Sequence, residues 1–108
     1  MATDVIVALV TAPSSDKAAE LARALVEEGL AACGNILPGV RSIYRWEGKV
    51  SDDQEVLLVL KSTKDRFAAL KERVVALHPY DVPEVLSLDV ADGQAAYLDW
   101  VRQSVIPK

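Results

Sequence analysis

The run Val5-Ile6-Val7-Ala8-Leu9-Val10 carries no polar residue and is rich in β-branched side chains. A strand wetted on one face alternates polar and apolar residues, and this one does not, so it reads as a strand buried on both faces. Thr11-Ala12-Pro13-Ser14-Ser15 interrupts it. Ala18, Leu21, Ala22 and Leu25 then recur at helical spacing, the stripe of an amphipathic helix. Ser14 or Ser15 suits its N-cap, Asp16 its first turn, and Gly29 its left-handed stop.

Beyond Leu30 the pattern becomes extended, with a bulge or bend expected at Pro38-Gly39. Val40, Ser42, Tyr44 and Trp46 then share one face, and Arg41, Ile43 and Arg45 the other. Glu47-Gly48 suits a tight reversal, followed by a return strand through polar Ser51-Asp52-Asp53-Gln54 into apolar Val56 to Leu60. The result is a long hairpin whose tip is too polar for a core. A second helix is predicted over Thr63 to Leu77, closed because Pro79 disfavours helical backbone at His78. Val85 to Val90 supplies a last strand, and Gln94 to Val105 a terminal helix with Tyr97, Leu98, Trp100 and Val101. The order is β-α-β-β-α-β plus a helix, an α+β ferredoxin-like sandwich forming a single domain over residues 1–108. Two crossover helices cover one sheet face, whereas Val5–Val10 and Val56–Leu60 are apolar on both. The second face needs the terminal helix and another subunit, so an oligomer is expected, with the hairpin packing between chains.

Of 108 residues 51% are apolar, more than a domain this small buries on its own. The net charge of −4 argues against nucleic acid and against anionic membrane surfaces as partners. One cysteine, Cys33, allows no intrachain disulfide and suits a reducing compartment. Met1-Ala2-Thr3-Asp4 shows no basic leader, and no apolar run approaches the roughly 20 residues of a membrane span, so a cytoplasmic protein is expected.

Catalytic patterns are missing. There is no G-x-S-x-G elbow, the five glycines form no phosphate-binding loop, and a single histidine would have to serve any nucleophile, so no enzyme is expected. Glu27-Glu28 and Asp52-Asp53 sit in exposed contexts and read as solvated surface. RNA-recognition domains share this strand order but stack bases on aromatics, which Glu55 to Lys61 lacks. Cys33 and His78 are the residue types that suit copper or zinc. Cys33 also reads as a small buried hydrophobe, and His78 as a helix-end residue meeting the helix dipole. Pro79 holds His78 extended, so its ring is expected to face solvent and to bind Cu(II) or Zn(II) weakly, helped by Asp81 or Glu84. Tyr44, Trp46, Tyr80, Tyr97 and Trp100 lie in the hairpin, the turn after the second helix and the terminal helix, where aromatics anchor interfaces.

Several segments together carry a resemblance: Thr11-Ala12-Pro13, Leu30 to Gly39, Ser42 to Lys49, Glu55-Val56 with Lys61, Leu77-His78-Pro79-Tyr80-Asp81-Val82-Pro83-Glu84, and Tyr97-Leu98-Asp99-Trp100. In order and spacing they resemble the CutA family of divalent-cation-tolerance proteins across essentially the whole chain. The resemblance implies a trimer related in architecture to PII signalling proteins, and a cytoplasmic role in the response to heavy metals, chiefly copper. Some members carry a cysteine before the Thr-Ala-Pro segment and a histidine pair before Pro-Tyr as proposed copper ligands. Here Val10 and Leu77 occupy two of those places and His78 keeps the third. A second reading is a PII-like sensor or scaffold that binds a small ligand or protein partner between subunits. Lys61, Glu84 and Tyr97 would line that cleft, with Glu55 nearby and Trp46 reaching a neighbour. No cofactor is fixed by these residues beyond Cu(II) or another divalent cation.

Overall fold

The computed structural model describes residues 3–105. Met1 and Ala2, on which the expectation about the start of the chain rests, and residues 106–108 of the expected 1–108 domain lie outside the described residues. Strand β1 (Val5–Ala12) leads into helix α1 (Ser15–Glu27), then β2 (Cys33–Trp46) and β3 (Lys49–Thr63). A 3-10 turn (Lys64–Arg66), α2 (Phe67–Leu77), β4 (Val85–Asp89) and α3 (Ala95–Ser104) complete the order. The four strands form one antiparallel sheet in the order β2-β3-β1-β4, the ferredoxin-like arrangement.

Beside small shifts at the start of β2, the end of β4 and both ends of α3, two boundaries differ from the sequence reading for a clear physical reason. Thr11 and Ala12 remain in β1, paired with Leu57 and Val56 on β3. Thr63 is the last residue of β3 and not the first of a helix. It pairs with Val5, its backbone is extended, and its hydroxyl bonds Asp65 at 2.5 Å. Sheet pairing of a β-branched residue outweighs the helical periodicity that follows it.

The expected irregularity at Pro38-Gly39 is a bulge. Leu37 pairs with Leu57 but Val40 pairs with Glu55, so β2 carries one extra residue there, with Gly39 at φ 83°. The insertion resets the alternation, so that Leu37 and Val40, Tyr44 and Trp46 all face the same side. At the tip, Glu47 (φ 51°) and Gly48 (φ 77°) join Trp46 to Lys49 in a two-residue turn of the kind that matches strand twist.

One sheet face is fully covered. Ala8, Val10, Ala12, Val56, Leu58 and Leu60 pack against Ala18, Leu21, Leu25, Leu70 and Val74 of α1 and α2. Ser14 caps α1 by accepting the Lys17 amide at 3.1 Å. Gly34 lets α1 approach: a Cβ there would sit 3.0 Å from the Ala22 Cβ and 3.1 Å from Leu58 and Leu60 methyl carbons. On the other face α3 covers one end, where Leu98, Val101 and Val105 pack on Val5 and Ala32. Val7, Leu9, Leu57 and Val59 lie beyond it, beside Leu37 at 44%, Leu86 at 52% and Leu88 at 50% exposure. An open, largely apolar sheet face is therefore built into the protomer.

Candidate functional site

The open face ends in a groove of about 790 Å³ between the hairpin and the turn joining α2 to β4. The bulge aims Tyr44 and Trp46 into it from β2, β3 contributes Glu55, and the turn contributes Tyr80, Asp81 and Glu84. Their placement begins at the end of α2, where Pro79 stops the helix and leaves His78 extended at ψ 140°. The His78 ring lies under the chain at 8% exposure. Nε2 is 2.7 Å from the Thr11 carbonyl, which only accepts, so Nε2 carries the proton. Nδ1 then accepts the Tyr80 amide at 3.1 Å, and the Tyr80 ring packs 4.6 Å from the imidazole at a tilt of 55°. So held, Tyr80 donates its hydroxyl to Glu55 at 2.8 Å. Burial first, and the Glu55 carboxylate second, push the Tyr80 phenol well above its ordinary range, so it stays a donor.

Further out, Tyr44 donates to Asp53 at 2.5 Å, and that bond raises the Tyr44 phenol. Arg41 grips Asp52 through two hydrogen bonds of 2.9 and 2.6 Å, which hold the Asp52 carboxyl below its ordinary value. Trp46, 44% exposed, leaves much of its indole open.

A second cluster sits where α3 meets the sheet. Cys33 and Lys61 are partners across β2 and β3, and the Cys33 sulfur lies 3.7 Å from the Tyr97 hydroxyl. Tyr97 packs 5.6 Å from Trp100, and Lys61 donates to the Asn35 side-chain oxygen. Desolvation, then the Cys33 contact, raises the Tyr97 phenol.

These positions correct the expected solvent-facing imidazole. The His78 ring is buried and both of its nitrogens are engaged, so a metal would have to displace the Thr11 carbonyl or the Tyr80 amide. Val10 is fully buried and Leu77 packs on the same core, so the corner where the resemblance places two further ligands is apolar here. Cys33 does not approach His78. Cys33 faces Lys61, whereas His78 bonds the residue opposite Leu57, about 13 Å further along β3. Among the described residues no three His, Cys, Asp or Glu side chains converge on a metal-sized point. The expected cleft residues divide likewise within the protomer: Trp46, Glu55 and Glu84 line the groove, and Lys61 and Tyr97 join Cys33. The Tyr80–Glu55 and Tyr44–Asp53 bonds were not foreseen. The second follows from the alternation once the bulge is counted, but the first joins residues 25 apart in sequence and leaves no local signal.

A family model described as CutA1 divalent ion tolerance protein matches residues 6–104. A Thermus thermophilus protein named divalent-cation tolerance protein CutA is 57% identical over 91% of this chain and 95% of its own length. The human protein CutA is 48% identical over 89% of this chain, which spans 54% of that longer protein. The crystal structure of CutA1 from Oryza sativa superposes with a TM-score of 0.94 at 43% identity, covering 99% of this chain and 98% of that one. Strand order, hairpin and terminal helix thus agree with a match along nearly the full length, and the chain belongs to the CutA1 divalent ion tolerance family.

Proposed function

We infer that this protein acts in tolerance of divalent cations, copper foremost, as a non-catalytic cytoplasmic protein. The family match over residues 6–104 carries this reading. The cytoplasmic assignment leans on the single thiol, Cys33, which suits a reducing compartment. The role does not need a tight intrachain chelate, and the protomer's donors do not fit one: His78 spends both nitrogens on backbone groups and Cys33 stands apart beside Tyr97. Metal contact is then weak and made through single donors.

The working form in this reading is a homotrimer. Val7, Leu9, Leu37, Leu57, Val59, Leu86 and Leu88 make an apolar field that α3 leaves uncovered. Fully burying an exposed side chain of this kind is worth about 1.5–3 kcal/mol, and these are partly covered already, so packing such faces together contributes a fraction of that from each. Deleting the gene in its host and challenging growth with copper and other divalent ions tests the function. The expected result is metal-specific sensitivity rescued by the intact gene; growth indistinguishable from wild type under every divalent ion overturns it. Light scattering at micromolar concentration tests the trimer, which a monomeric mass would exclude.

A further inference from the structure

Past the end of β4 the chain runs without regular structure from Val90 to Gln94, and near its middle stands the pair Asp92-Gly93. β4 ends with Asp89 opposite Ile6, so this link lies at the Val5 end of the sheet, away from the groove beside the hairpin. Asp92 is the only aspartate of the chain followed by glycine. The Gly93 amide donates to the Asp92 carboxylate, its nitrogen 2.8 Å from Oδ1. That contact turns the nitrogen toward the carboxyl carbon of the preceding side chain, the approach that closes a five-membered imide. Gly93 leaves the approach open because it carries no Cβ; one built there would meet a Leu98 methyl carbon at 3.3 Å.

We propose that Asp92-Gly93 is a self-modifying site, where the fold presents the amide to the carboxyl and the chain converts to isoaspartate as the protein ages. The Gly93 nitrogen gives its proton to a solvent base and bonds Cγ of the protonated Asp92 carboxyl. The C–OH bond breaks and a water leaves, giving a succinimide. Water then opens the ring at either carbonyl. Opening on the backbone side leaves the chain running through Cβ, with the former backbone carbonyl as a free carboxylate. The water lost is regained, so mass is unchanged and no ligand, metal or oxidant takes part. The conversion lengthens the link by one backbone atom, just before Gln94 caps α3 by accepting the Tyr97 amide at 3.1 Å. Leu98, Val101 and Val105, which cover the Val5 end, then lose the fixed entry of their helix. The proposal is independent of the divalent-ion reading.

The test ages the assembled protein at physiological temperature and neutral pH, beside a free peptide spanning residues 88–97. An endoprotease that cuts before aspartate reads the conversion, because the Ala91–Asp92 bond resists it once Asp92 is isoaspartate. Methyl transfer by an isoaspartyl methyltransferase counts the total. Conversion should accumulate at Asp92 over weeks, while Asp81, Asp89 and Asp99, each followed by a residue with a Cβ, stay intact. The folded rate should be at least about one third of the peptide's, and a lower one overturns the proposal, since the fold then locks the link. Asp92→Glu, whose longer side chain would have to close a six-membered ring, should abolish the signal. Gly93→Ala should slow it several-fold; if that variant changes mass or circular dichroism, Asp92→Glu decides alone. A signal that persists in Asp92→Glu, an unchanged rate in a folded Gly93→Ala, or conversion spread over the other aspartates also overturns it.

Discussion

His78 ties three segments together. From the end of α2 it holds the end of β1 through Nε2 and the following turn through Tyr80, whose amide its Nδ1 accepts and whose ring its own ring packs against. Replacing it with alanine leaves the Thr11 carbonyl and the Tyr80 amide without partners in a half-buried place. The expected cost is about 1–3 kcal/mol in denaturant unfolding, with copper affinity unchanged by chelator competition. A stable variant with much weaker copper binding would restore His78 as a ligand. Sequence located this residue but not its role: Pro79 announced the extended backbone, whereas the partner carbonyl at Thr11 is 67 residues away and carries no side-chain signal. The Asp52 carboxyl makes a prediction about acid. Its pKa is lowered because Arg41 bonds the ionised form. The unfolded chain therefore takes up that proton at higher pH than the folded one, and the contribution is present above the unfolded value and lost as pH falls through the folded one. Carboxyl titration by NMR should show Asp52 moving up toward its ordinary value in Arg41→Gln, and an unmoved titration would show that the ion pair is not formed in solution.

At the scale of elements, the legible signals were those written in local chemistry. The stripe of α1 between Ser14 and Gly29, the turn at Glu47-Gly48 and the apolar run Val5 to Val10 of β1 were read directly. The β3–α2 junction was missed because Thr63 pairs with Val5, a partner 58 residues away, and a helical period cannot record that. Gly34 shows the same limit: it looks like an ordinary strand glycine, yet it sets how closely α1 lies on β2. Its substitution by alanine asks Ala22, Leu58 and Leu60 to move by a few tenths of an ångström in a packed layer. Overpacking of this kind costs about 1–3 kcal/mol. The expected outcome is a lower thermal midpoint with unchanged mass and helix content. A midpoint equal to wild type would mean that the helix slides outward freely, against the tight layer the contacts describe.

For the whole molecule, the sheet has one face that its own helices complete and one they do not. α3 is ten residues long and reaches only the Val5 end, so the rows from Val7 to Thr11 lie open beside β4. This was foreseeable from the doubly apolar strands alone, since two crossover helices cannot cover both faces of a sheet. A copy number of three is implied by the family resemblance alone; the protomer shows an uncovered apolar face and no symmetry operator. The two faces of the molecule nevertheless separate cleanly under mutation. Leu86→Lys and Leu88→Lys place ammonium groups on the edge strand of the open face, where pairing with another copy would bury them unpaired at a cost of several kcal/mol. In the free protomer both positions are half exposed, so folding itself should be spared. Val26→Lys, on exposed α1 across the sheet, introduces the same charge away from the open face. Light scattering with circular dichroism should find the β4 variants folded but dissociated, and the α1 variant folded and assembled as wild type. Dissociation by Val26→Lys with the β4 variants intact would move the interface to the helical side and leave the open sheet face without a partner.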